Sequence, residues 1–264
     1  MAEDVAPALR SLLAGVIDYA GMFPPSLLSL SDAVDNYARY AGASYHWILS
    51  RFVLNAKDLL SLPASKPFPL SVLADRAFVW ADPRVKSVET KEVFASQLPT
   101  YCEIPFDDIS ALHAVRDAHL FAKIRTGGLI PDAIPASDAI AAFLIAAARL
   151  KVPFKATAGL HHPIRAVRSL TYDKDSPTAV MHGFINLFVA SALAWSGASE
   201  TVVLRVLNEE DPKAFNFDSE LRWRDTSLTA MQVANARRDF AHSFGSCSFA
   251  EPVNELKELD WLPC

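Results

Sequence analysis

Cysteine is scarce in this chain: 3 residues in 264, at Cys102, Cys247 and Cys264, odd in number and far apart. They lack the close pairs of zinc-binding segments, and three thiols cannot all pair within one chain, so no disulfide framework or cysteine-ligated zinc site is expected. A reducing compartment, and hence the cytoplasm, is the expected setting. Glycine is also sparse, and none of the 9 residues makes the Gly-rich turn that follows the first strand of a dinucleotide-binding sheet. Basic residues are outnumbered, 25 against 30 acidic, for a net charge of −5. Such a surface offers nothing to draw nucleic acid or an anionic membrane. No apolar stretch runs unbroken for the roughly 18 residues of a membrane span; FLIAAARL is cut by Arg149. The opening Met-Ala-Glu-Asp is acidic where a secretory leader is basic. The expected partner is therefore a small molecule, and a homo-oligomer is left open.

Apolar residues, by contrast, are plentiful, at 51% against 21% charged. That is ample for the core of one large α/β domain and too much for a disordered chain. Short β-type runs alternate with helical ones. Strands are expected at 14–23, 46–54, 68–75, 85–89, 100–106, 120–128 and 152–160. Helices are expected from Ser31 to Ala41, over a short stretch from Ala56, weakly after the third strand, in KEVFASQL, in ISALHAVRDA capped by Asp107 or Asp108, at 137–151 capped by Ser137, and at 181–195. Alternation of this kind requires parallel strands joined by crossovers, and seven units with an eighth to come predict a closed (β/α)8 barrel, 1–264, as a single domain. An open doubly wound sheet is the alternative.

The rhythm breaks at about 198–228, where TVVLRVLNEED and AFNFDSELRWRD read as two extra strands in a β-rich insertion. The helix SLTAMQVANARRDFAH follows, then an eighth strand in HSFGSCSF (242–249) and a last helix with Pro252 in its first turn. Trp47, Trp80, Phe184 and Phe188 sit at apolar periodic positions and read as core; His182 reads as a capping or core residue, and Glu209, Glu210 and Asp211 as a solvated turn.

In such a barrel the active site is built at the carboxyl ends of the strands, and polar residues gather there. Lys123 and Arg125, two apart on strand six, face the same way, as do Lys155 and Thr157 on strand seven. Asp18, Arg51, Glu89 and Glu103 complete the set on strands one, two, four and five. Ammonium groups between apolar neighbours are costly without partners. The set is therefore either a catalytic site or an ion network that only holds the barrel together. Gly245, Ser246 and Ser248 could offer N–H groups and hydroxyls to an anion ahead of the last helix, with Cys247 among them as a small packing residue. His161 and His162 follow strand seven; with Glu89 and Glu103 they could ligate a divalent metal.

These segments resemble the deoxyribose-phosphate aldolases, class I aldolases on a (β/α)8 barrel. FAKIRTGG is similar to that family's strand-six signature Lys-Thr-Ser-Thr-Gly through Lys123, Thr126 and Gly127. PFKATAGLHHPIR resembles the strand-seven signature through Lys155 and Gly159, with Leu160 in place of a second glycine. HSFGSCSF is similar to the strand-eight phosphate loop, Asp18 resembles the strand-one Asp, and Glu89 stands for the strand-four Asp; SRFVLN echoes the strand-two Arg-Phe segment. The resemblance implies a Schiff-base lyase without cofactor, with Lys123 as the nucleophile attacking a carbonyl as its neutral amine. Glu89 and Lys155 would then relay protons, and Arg125 would grip an anionic group. Lys155 and Arg125 are expected to crowd Lys123 with positive charge. A metal-dependent hydrolase or lyase is one alternative, and a catalytically inactive barrel binding a small anionic metabolite or a partner is another.

Overall fold

The structure, a computed structural model, describes residues 5–74, 82–94, 96–106 and 108–263. Eight parallel strands close into a barrel: β1 (Ile17–Tyr19), β2 (Leu49–Asn55), β3 (Leu70–Leu73), β4 (Val85–Thr90), β5 (Thr100–Glu103), β6 (Phe121–Arg125), β7 (Phe154–Thr157) and β13 (Ala241–Ser246). They pair in chain order, and β13 lies between β7 and β1 to close the ring. This is a (β/α)8-type barrel. Its strands are shorter than the β-type runs of the sequence because the flanking apolar residues serve the turns and helix contacts.

The helices are α1 (Pro7–Leu13), α2 (Leu30–Ala41), α3 (Ile109–Asp117), α4 (Ser137–Leu150), α5 (Phe184–Trp195), α6 (Glu200–Leu207), α7 (Ala230–Asp239) and α8 (Ala250–Glu258). Their starts follow local chemistry. The Ser29 hydroxyl accepts from the Asp32 N–H at 3.1 Å, which begins α2 just before the expected Ser31. Asp108 caps α3 by accepting from Ala111 N–H at 3.0 Å, whereas Asp107 lies outside the described residues. Ser137 is not the cap of α4 but its first residue; Ala136 occupies the cap position without a side-chain bond. With the turn before it, α4 forms an apolar 20-residue stretch, Pro131–Leu150, long enough to cross a membrane by composition. Here Ile140, Ala141, Leu144 and Ala147 on it are fully buried within the protein.

Alternation is less regular than the sequence reading. KEVFASQL forms no helix in its described residues, so β4 and β5 are joined by irregular backbone, and the stretch from Ala56 is a 3-10 helix, Ala56–Ser61. Both the weak helical segment after strand three and Trp80 fall mostly or wholly outside the described residues. TVVLRVLNEED is not a strand. It forms α6, with Ser199 capping the start and Val203, Val206 and Leu207 buried at helical spacing. β-Branched residues invite a strand reading, but an apolar partner in α5 decides for the helix.

The rest of the insertion is a three-stranded antiparallel meander, β10 (Phe215–Phe217), β11 (Glu220–Trp223) and β12 (Thr226–Thr229). It buries Phe217 edge-on to Trp261, ring centres 5.0 Å apart, and the Asp218 carbonyl accepts from Ala8 N–H on α1. Glu209 is not in a solvated turn. It is buried, accepting from Trp223 Nε1 at 3.2 Å and pairing with Arg224 at 2.6 Å. A further hairpin, β8 (Ala166–Ser169) with β9 (Thr178–Met181), leaves the carboxyl side of β7. The main core lies between barrel and helices, where Phe184 of α5 stacks on Phe244 of β13, ring centres 5.2 Å apart.

Candidate active site

Parallel register brings the charges together. Glu103 pairs with Lys123 across β5 and β6, and Lys123 with Lys155 across β6 and β7. Inside the barrel their side chains form one series of alternating sign. Arg51 Nη1 lies 3.9 Å from Asp18 Oδ1, and Asp18 Oδ2 accepts from Lys155 Nζ at 2.5 Å. Lys155 also donates to Glu89 Oε1 at 2.6 Å, and Glu89 Oε2 is 2.9 Å from Lys123 Nζ. Lys123 then reaches Glu103 Oε2 at 3.1 Å, and Glu103 reaches Arg125 Nε at 3.4 Å. Lys123 is therefore not an amine crowded by two cations, as the sequence implied: Glu89 stands between the lysines and Glu103 between Lys123 and Arg125.

Hydroxyls complete the inner members. Ser71 donates to Glu89 Oε1 at 2.8 Å and itself accepts from Ser87; Ser243 donates to Asp18 Oδ2 at 2.7 Å. Sequence reasoning passed over these serines, although each is a polar residue inside an apolar strand run, which is the available signal. Burial alone would raise the Asp18 carboxyl, yet Lys155 and then Arg51 hold it below its ordinary range. Burial likewise opposes ionisation of Glu89, and Lys155 and Lys123 override it to leave Glu89 a strong acid. For Lys155, burial pushes down while Asp18 and Glu89 push up, and the carboxylates win. Glu103 is held low by Lys123 and Arg125 against a burial term of opposite sign. Paired charges so deep satisfy each other, where an isolated one would be expelled or neutralised.

Above the series opens a cavity of about 390 Å³. Glu89, Lys123, Arg125 and Thr157 are its polar lining; Phe23, Leu73, Leu129, Leu170 and Met181 are among its apolar walls. Lys123 is 5% exposed and Arg125 half exposed, so the lysine is at the base and the guanidinium nearer solvent. Asp18 and Lys155 lie behind this lining. The loops after β6 and β7 touch through glycines: a Cβ on Gly127 would sit 2.8 Å from Gly159 Cα, and Gly159 has a φ of +74°. Gly245, in register with Thr157, also lines the cavity.

Three expectations are corrected. Arg51 does not line this cavity; it borders a separate one with Tyr101, Phe121 and His242, residues at the amino ends of their strands. Its place near the start of β2 fixes that outcome. Ser246 and Ser248 do not converge on Lys123 either: Ser246 Oγ donates to the Ser248 carbonyl, and Ser248 Oγ accepts from Glu251 N–H, so these hydroxyls close their own turn. It is Cys247 that faces the cavity. Finally, the histidines do not meet Glu89 or Glu103, which the lysines occupy. His161 Nδ1 pairs with Glu251 at 3.1 Å and His162 Nδ1 with Glu255 at 2.5 Å, both on α8.

Among the described residues, His162, Glu251 and Glu255 bring ligand-type atoms within 4.8 Å of one another. The 2.5 Å contact is too short for two ligands of one ion, which stand about 3 Å or more apart when each bond is ~2.1 Å. Arg168, 3.5 Å from Glu255, already supplies a cation. These groups are ion pairs joining the loop after β7 and the β8 strand to α8.

No protein-family profile matches the chain, and no curated protein sequence matches it. Among solved structures, ADP-L-glycero-D-manno-heptose-6-epimerase of Helicobacter pylori aligns over 96% of this chain and 93% of its own, at 8% identity and a TM-score of 0.21. So slight a likeness carries no argument about fold or activity.

Proposed function

We propose that the protein is a Schiff-base lyase, making or breaking a carbon–carbon bond in a small carbonyl compound that carries an anionic group. The observation that carries the reading is the placement of Lys123. Its ammonium stands at the base of an otherwise largely apolar cavity, with carboxylates at 2.9 and 3.1 Å and a second lysine beyond the first of them. Glu103, nearer the opening than Glu89, is placed to take a proton from Lys123 and free the amine. The amine adds to the carbonyl carbon, the oxygen leaves as water after protonation, and the resulting cationic imine draws electrons from the neighbouring bond. Glu89, joined to Lys155, holds the second proton-carrying pair behind the reacting atoms. Arg125 is the available grip for a carboxylate or phosphate. The chemistry draws on no cofactor.

The test is borohydride reduction with a panel of small aldehydes and ketones, followed by peptide mapping. One reduced adduct on the peptide holding Lys123 is expected, lost in Lys123→Ala and retained, with slower turnover, in Lys155→Ala. Circular dichroism would show that each variant is folded. Labelling that persists in Lys123→Ala, or that no carbonyl produces, rejects the reading.

A further inference from the structure

Cys247, Tyr172, His161 and Glu251 form a cluster that the proposed lyase chemistry does not use. Cys247 follows β13, is 5% exposed, and lines the same cavity as Lys123; so does His161, from the loop after β7. The sulfur lies 3.9 Å from both ring nitrogens of His161. His161 Nδ1 is held by Glu251 Oε2 at 3.1 Å, which leaves Nε2 to serve the thiol. Glu251 in turn accepts from the Tyr172 hydroxyl at 3.1 Å, and that hydroxyl is 3.7 Å from the sulfur. A nucleophile, a base beside it and a carboxylate orienting the base is the arrangement that activates a thiol. The start of α8, two residues beyond the cap-side neighbour Ser248, adds a positive backbone field.

We infer that Cys247 is a second nucleophile of this cavity, a thiolate paired with the His161 imidazolium, and that it takes small aldehydes as reversible thiohemiacetals. The sulfur lone pair adds to the carbonyl carbon, the π pair moves to oxygen, and that oxygen takes a proton from His161. Nothing leaves, and no oxidant is needed. The reverse step returns the aldehyde, the thiolate and the imidazolium. A proton donor beside the sulfur suits addition to a carbonyl, and a cavity of about 390 Å³ admits a small molecule. A disulfide has no support: among the described residues the other cysteine, Cys102, is on β5.

The surroundings agree. Burial opposes charge on His161, but Cys247 and Glu251 outweigh it and raise the imidazole to about 9. Burial pushes the thiol up, and hydrogen bonding and charge from His161 bring it below its ordinary value. The other groups facing the pair are Tyr19 of β1, Glu251 of α8 and Tyr172 from the loop between β8 and β9, with His162 next along and Lys123 and Arg125 across the cavity lining.

The proposal stands on its own geometry and does not need Lys123 to form an imine. The test follows alkylation of Cys247 by iodoacetamide against pH, using peptide mass spectrometry on the full chain. Wild type should be at its rate plateau by pH 7. His161→Gln should shift the midpoint up to the ordinary thiol value near 8.5 and slow alkylation at pH 7 roughly thirtyfold, the ratio of complete to a few per cent thiolate. Glu251→Gln should fall between them. Propionaldehyde should protect Cys247, reversibly on gel filtration, to the same degree in wild type and in Lys123→Ala. A wild-type midpoint at or above 8.5, a His161→Gln profile that superimposes on wild type, or the absence of protection would each overturn the proposal. Protection that vanishes in Lys123→Ala would also overturn it, because an imine at Lys123 would then be the cause. Failed borohydride labelling alongside intact protection would sink the lyase reading and leave this one standing.

Discussion

Replacing Glu89 by glutamine would test the charge series at its centre. The carboxylate is 3% exposed and accepts from Lys155 at 2.6 Å, Lys123 at 2.9 Å and Ser71 at 2.8 Å. Glutamine keeps the size and one acceptor, but its amide group turns donors towards at least one ammonium. The two lysines then face each other with only Asp18 and Glu103 to hold them. Removing one partner from a buried ion pair costs about 3–5 kcal/mol, because the survivor stays desolvated. Here two survivors share the loss, so the upper half of that range is expected, a large part of a typical 5–15 kcal/mol domain stability. The assay is urea unfolding at pH 7 followed by circular dichroism, comparing midpoints at unchanged slope. A double variant, Glu89→Gln with Lys155→Met, removes one stranded cation and should recover 2 kcal/mol or more, roughly, of that loss. A single variant within about 1 kcal/mol of wild type, or a double variant less stable than the single, would refute the view that these charges are mutually dependent.

Two more outcomes follow from geometry already given. His242 accepts from Tyr101 at 2.8 Å, and burial, then Arg237, lowers its imidazole to about 4. An unfolded histidine near 6.5 takes up a proton that the folded one refuses, so stability is full above about 6.5 and falls as pH drops towards 4, by roughly 3 kcal/mol from this residue. His182, also lowered by burial, adds to the same limb, and Asp18 and Glu89 extend it to lower pH. His242→Gln should flatten the stability profile between pH 6.5 and 4 in urea titrations; an unchanged slope would count against the assignment. Gly127→Ala should cost roughly 1–3 kcal/mol by the same assay, since its methyl must displace the Gly159 backbone at 2.8 Å. A cost under about 0.5 kcal/mol would mean that the two loops part easily.

The barrel was legible because its strands are punctuated by helices with readable caps, such as Asp108 before α3. So were Lys123, Arg125, Lys155, Glu89 and Asp18 as one group, since charges inside apolar runs have to meet something. What stayed hidden depended on partners far along the chain. α6 carries Thr, Val, Val, Leu, Arg, Val, Leu, a pattern that suits a strand until α5 presents an apolar face to it. Arg51 differs from Glu103 only in standing near the start of its strand instead of at the end, a matter of two or three residues that boundary reading does not resolve. Cys247 looked inert because its base, His161, is 86 residues away. The order of charges was equally invisible: strand position shows that Lys123 and Arg125 share a face, but not that Glu103 would fold between them.

The series Arg51, Asp18, Lys155, Glu89, Lys123, Glu103, Arg125 has a cation at each end and no two like charges adjacent. Its members are therefore not independent targets for inherited change. A neutral replacement at an inner position strands two neighbours, whereas a joint replacement of an acid and a base restores alternation. Drift at these positions should move in couples, with Glu103 and Arg125, at the exposed end, the first couple free to change. Asp18 and Lys155, enclosed on all sides, should be the last.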